Sequence, residues 1–161
     1  MITDFLVALE ATAIARALRD SVWVYPLVNA GHIFGIALLV GSVIPLDLRL
    51  LGLWRSVSLA ALWQVLTRTS AVGLLLAIVF GFLLFMTRAT EYAASGLFIA
   101  KMAVVAAAIV NALALRMAVP GEISGIGPKL GPPSRRVRLA GGVSLTTWLI
   151  ALTLGRLVGY F

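Results

Sequence analysis

Four long apolar runs, at about residues 22–45, 60–87, 94–118 and 139–160, alternate with short polar stretches along the chain. Roughly 20 helical residues cross a bilayer core, so each run is long enough to span one. The pattern predicts an all-α fold: an integral membrane four-helix bundle over residues 21–161. Residues 1–20 read differently. Ile2, Phe5, Leu6, Leu9, Ile14 and Leu18 recur at near-helical spacing with Asp4, Glu10, Arg16 and Arg19 between them. That spacing predicts an amphipathic helix lying in the membrane interface, with a packed N-terminal helix as the alternative. The stretch lacks the basic start and small-residue cleavage site of a signal peptide, so it is expected to be retained.

The polar breaks set the connections. The first span is expected to end at Pro45, with Asp47 and Arg49 marking exit to water and Gly52 to Ser58 forming a turn. The second helix starts amphipathic, with Leu62, Trp63, Val65 and Leu66 interleaved with Gln64, Arg68 and Thr69, so it reads as one long tilted helix from which Arg68 snorkels. Arg88 to Ala94 form a short connection. Pro120 to Arg138 is the one substantial loop; its Gly125 and Gly127 neither follow a strand nor open a helix, which argues for a linker over a phosphate site.

Composition agrees with a membrane protein. Of 161 residues, 61% are hydrophobic and 12% charged, with a mean hydropathy of +1.07. The absence of cysteine excludes disulfides, thiolate metal sites and cysteine-ligated clusters. The net charge of +7 is explained by topology and not by nucleic-acid binding. Arg49, Arg55, Arg68, Arg116, Lys129, Arg135, Arg136 and Arg138 gather on one side, against Arg16, Arg19, Arg88 and Arg156 on the other. The positive-inside rule then puts both termini outside.

Within the spans a few polar residues need explaining. His32, the chain's one histidine, falls near mid-membrane, where an unpaired imidazole is costly and marks a functional site by default. Asn29 lies a turn away on nearly the same face, and Gly31 and Gly35 form a small-xxx-small pair that admits another backbone or a flat ligand. At 1.5 Å per residue, Arg156 is about 7 Å from the outer face, Lys101 about 10 Å and His32 about 15 Å. Two cations above a metal ligand, with no interior acid to balance them, suit an anionic cofactor. Haem b fits: iron on His32, propionates on Lys101 and Arg156, and room for the ring beside Gly31 and Gly35. The second ring nitrogen of His32 would donate to Asn29 or to the carbonyl of Val28. The plainer readings are a His32 hydrogen bond to Thr147 or Asn111 that fastens helices together, and snorkelling of Lys101 and Arg156.

The segments Asn29-Ala-Gly-His32, Gly41, Leu46-Asp-Leu-Arg-Leu-Leu-Gly52 and Phe98-Ile-Ala-Lys101, followed by Asn111 and Arg116, resemble the small bacterial membrane proteins of the CopD and HemJ type, in particular a four-span branch of them. The resemblance implies a bacterial inner-membrane protein with His32 and Lys101 as its functional positions. HemJ proteins are haem b-binding protoporphyrinogen oxidases and CopD proteins are associated with copper uptake. With one histidine, two-histidine ligation within a subunit is impossible here, which leaves five-coordinate iron, a Met or Lys ligand, or a haem shared across a homodimer. Electron transfer by a haem protein is the preferred expectation. Copper handling is the rival; it would rest on Met86 and Met102. A third is a non-catalytic subunit of a larger membrane complex.

Overall fold

The structure is a computed structural model that describes residues 1–123 and 133–160. The expected loop residues Gly125, Gly127 and Lys129 lie outside the described residues. Among those described there are seven helices and no strand: α1 (Ile2–Glu10), α2 (Ala13–Asp20), α3 (Val24–Leu51), α4 (Leu59–Thr87), α5 (Ala89–Ala94), α6 (Gly96–Ile123) and α7 (Arg135–Leu157). Four of them, α3, α4, α6 and α7, are long and apolar enough to cross a membrane.

Local chemistry sets where these helices start and stop. Thr12, Ser58 and Ser134 accept from the backbone N–H three residues on at the N-termini of α2, α4 and α7, supplying a partner that the helix cannot. Ser21 Oγ accepts from the N–H of Val24 at 3.2 Å and so opens α3. At its other end α3 is closed by Gly52, whose φ of 109° permits the paired bonds Gly52 N–H to Arg49 O and Leu53 N–H to Leu48 O.

The first span does not stop at Pro45. A proline inside a helix lacks one N–H and crowds the carbonyl four residues earlier, here that of Gly41. Gly41 is exposed, with open space where a side chain would stand, so the helix can adjust there and runs on through Asp47 and Arg49. Those two side chains therefore do not face water. They are 2% and 1% exposed, among the most deeply buried side chains of the chain.

The spans are arranged in the order α4, α3, α7, α6, with extensive packing between successive members. Glycines make the closest approaches. A β-carbon on Gly35 would lie 2.6 Å from the Ala77 backbone nitrogen and 3.0 Å from the Gly73 carbonyl oxygen, so α3 and α4 meet backbone to backbone. Further along α3, Gly141 of α7 receives Leu50. Leu39, Val40, Ala108, Trp148 and Ala151 form the central core, and Leu50, Leu115, Val119 and Val137 form a second cluster at the Asp47 end. α4 and α6 meet through stacked rings at the His32 end, Phe85 and Phe98 at 5.5 Å with Tyr92 against both.

The N-terminal stretch forms two short helices, not one, broken at Ala11 and Thr12. They are fastened to the α4–α5 junction. Glu10 accepts from the Thr90 backbone N–H at 2.7 Å and from its hydroxyl at 2.8 Å, capping α5 from eighty residues away. Arg19 donates to the carbonyls of Thr87 and Glu10. Ile2, Phe5 and Ile14 stay exposed while Ala15 and Leu18 are buried.

Candidate functional site

His32 is half-buried between α3 and α4. Its Nδ1 lies 2.9 Å from the carbonyl oxygen of Ala77. A carbonyl only accepts, so Nδ1 carries the hydrogen and donates, and in the neutral ring Nε2 holds the lone pair. The ring lies flush on Gly81, where a β-carbon would come within 2.8 Å of Cε1. The imidazole is thus positioned by α4: Ala77 fixes its rotation and Gly81 leaves space for it.

This is not the partner expected from sequence. Neither Asn29 nor the Val28 carbonyl holds the ring, and neither Thr147 nor Asn111 reaches it. Asn29 makes no side-chain hydrogen bond among the described residues. Asn111 donates to the Ala140 carbonyl at 3.0 Å, tying α6 to α7, and Thr147 bonds carbonyls of its own helix. The room expected beside Gly31 and Gly35 is taken by α4. Gly31 faces the Phe80 ring and Gly35 faces the α4 backbone, because close helix packing is the cheapest use of a small-residue stripe.

Lys101 is half-buried, with its stem beside Gly155 of α7 and its ammonium 4.8 Å from the centroid of the Phe98 ring. Its charge lies within electrostatic reach of the His32 imidazole. Arg156, next to Gly155, is exposed and turned to its own helix: the guanidinium stacks 4.4 Å from the Tyr160 ring centroid and donates to the Tyr160 hydroxyl. The structure therefore brings His32 and Lys101 near each other and leaves Arg156 at the rim.

Beyond them, at the same end of the spans, is a half-open cavity of about 750 Å³. Arg19, Tyr25, Thr87, Arg88, Tyr92 and Tyr160 are among its lining residues. Burial raises the Tyr92 phenol above its ordinary value, which keeps it a hydrogen donor. Arg88 pairs with Glu91 at 3.3 Å, both exposed.

Copper ligands do not converge. Met86 is buried at the end of α4, whereas Met102 is exposed on α6, and among the described residues no three His, Cys, Asp or Glu side chains gather as a metal site. What sequence reading missed is the opposite end of α3, where Asp47 and Arg49 are buried with polar atoms unpartnered. Comparison with protein-family models, curated proteins and solved structures finds no match to this chain.

Proposed function

We propose that this is a small haem b-binding membrane protein with an electron-transfer role, in which His32 Nε2 is the protein ligand to iron. The observation that carries the reading is the bond from His32 Nδ1 to the Ala77 carbonyl. A ligating histidine commonly donates its second nitrogen to a backbone carbonyl, which fixes the tautomer and strengthens the other nitrogen as a donor to metal. Lys101 supplies a cation for a propionate. Since α4 covers Gly31 and Gly35, room for a flat ring has to come from the α6 side of His32, where Lys101 stands; Arg156 joins by leaving Tyr160. Bound haem would supply one-electron exchange. The similarity to the CopD and HemJ type points the same way, and the distribution of arginines supports a bacterial inner-membrane location with both termini outside. With one histidine per chain, a haem shared in a homodimer is the natural route to six-coordination.

A second reading has one observation behind it. The bond to Ala77 also ties α3 to α4, as in a structural subunit whose histidine only fastens helices. Absorbance of the purified protein separates the two. A Soret band that is lost in His32→Gln supports ligation, whereas a wild type without one, or a variant that keeps it fully at equal protein, rejects it. Lys101→Met keeps the apolar stem and removes the charge, so it should lower haem retention while leaving membrane insertion intact.

A further inference from the structure

Asp47 is the second ionisable group of α3, fifteen residues beyond His32, or about 22 Å along the axis. Asp47 is 2% exposed and packs against α7, where the Ser144 hydroxyl, itself 3% exposed, stands close to its carboxyl group. One carboxyl oxygen, Oδ2, is fully enclosed with no partner among the described residues. The charged side chains described on the surrounding elements at this end are basic: Arg49 on α3, Arg55 beyond it, Arg68 on α4, Arg116 on α6, and Arg135, Arg136 and Arg138 on α7; the sequence adds one acid, Glu122, in the last turn of α6. Arg55, Arg68, Arg116, Arg135, Arg136 and Arg138 are exposed. Arg49 is buried but turned to the Val57 carbonyl at 2.9 Å, and no ion pair to Asp47 is formed among the described residues.

An anionic oxygen sealed inside the protein without a counter-charge is expensive, and taking up a proton removes that cost. A metal cation would need several converging oxygens, and among the described residues no three acidic, His or Cys side chains gather here. A proton needs one oxygen, and Oδ2 is available. We propose that Asp47 and Ser144 form a proton-binding site buried inside the bundle at the far end of α3, separate from the His32 site: Oδ2 takes the proton, and the Ser144 hydroxyl donates to the remaining oxygen. The site lies under the α3–α4 turn, so the proton would exchange with the side of the membrane that carries the basic residues.

Infrared spectroscopy of the full chain in phosphatidylcholine vesicles at neutral pH tests this directly, through the carbonyl stretch that a protonated carboxylic acid shows and a carboxylate does not. Asp4, Asp20 and Glu91 are exposed, Glu10 is held ionised by Thr90, and the sixth acid, Glu122, is controlled by Glu122→Gln, so a band that survives Glu122→Gln and disappears in Asp47→Asn belongs to Asp47. Ser144→Ala keeps the acid and removes its hydroxyl partner; the band should shift to higher frequency. If Asp47→Asn does not fold, the Ser144→Ala shift decides. No acid band in the wild type, a band indifferent to both substitutions, or a band erased by replacing potassium with sodium at constant pH would each overturn the proposal.

Discussion

The two ends of α3 handle ionisable residues in opposite ways. Near its start, His32 is half-buried, positioned by a backbone carbonyl on one nitrogen and left with an available lone pair on the other. Near its end, Asp47 and Arg49 are sealed, and each keeps a polar atom with no partner among the described residues. The first arrangement is that of a group prepared for an added ligand. The second is that of groups held in place by packing, since nothing polar compensates them fully. A single apolar helix can thus carry both an approachable site and a closed one, and the difference lies in its neighbours: Ala77 and Gly81 at one end, Ser144, Gly141 and the α3–α4 turn at the other.

The contrast can be broken most forcefully at Arg49. Arg49→Ala should destabilise the protein by about 4 kcal/mol, because it empties a fully buried volume and leaves the Val57 carbonyl unpaired. Steric-trap or detergent unfolding measures it, and a cost below about 1 kcal/mol would show that this end is not held by packing. Next is the seam shared by both ends. Gly35→Val puts methyl groups into the α4 backbone and should cost about 3 kcal/mol, with a matching fall in melting temperature. His32→Ala, by contrast, removes one interhelical hydrogen bond and should cost only about 1 kcal/mol. A much larger loss in cofactor-free protein would mean that His32 serves structure first.

The smallest effect concerns Glu10. Its bonds to Thr90 lower its carboxyl below the ordinary value, so the folded form holds fewer protons than the unfolded one as the pH falls through the ordinary carboxylate range. The stabilisation is therefore present above that range and is lost as pH drops through the depressed folded value. The protection factor of the Thr90 amide, its exchange rate relative to the intrinsic rate at the same pH, should fall in acid, and in Glu10→Gln it should be lower at neutral pH and insensitive to acid. A protection factor flat with pH in the wild type would remove Glu10 as the cap of α5.

The number, order and helical class of the spans were legible because twenty apolar residues admit few alternatives to a membrane helix. His32 and Lys101 were legible as candidates for a related reason: a polar residue within such a run stands out. The packing role of Gly35 was half legible. A small-residue stripe announces a close approach without saying what approaches, and the answer, Gly73 and Ala77, lies nearly forty residues away. Asp47 and Arg49 were misread because charge normally signals water, and the pattern gave no hint that Gly141 and Ser144 of α7 would close over them. Likewise Pro45 suggested a helix end, while the open side of Gly41 allowed the helix to continue.

The anchoring of Glu10 to Thr90 also has a meaning in time. Residues 1–20 leave the ribosome before the four spans, yet the backbone they must cap is eighty residues downstream. During synthesis α3 and α4 can associate through Gly35 and Gly73 as soon as both are inserted, whereas the N-terminal pair must wait for α5 before Glu10 finds its donors. A segment made before the spans is thus among the later parts to settle, and it closes the junction between the second and third spans after they have been laid down.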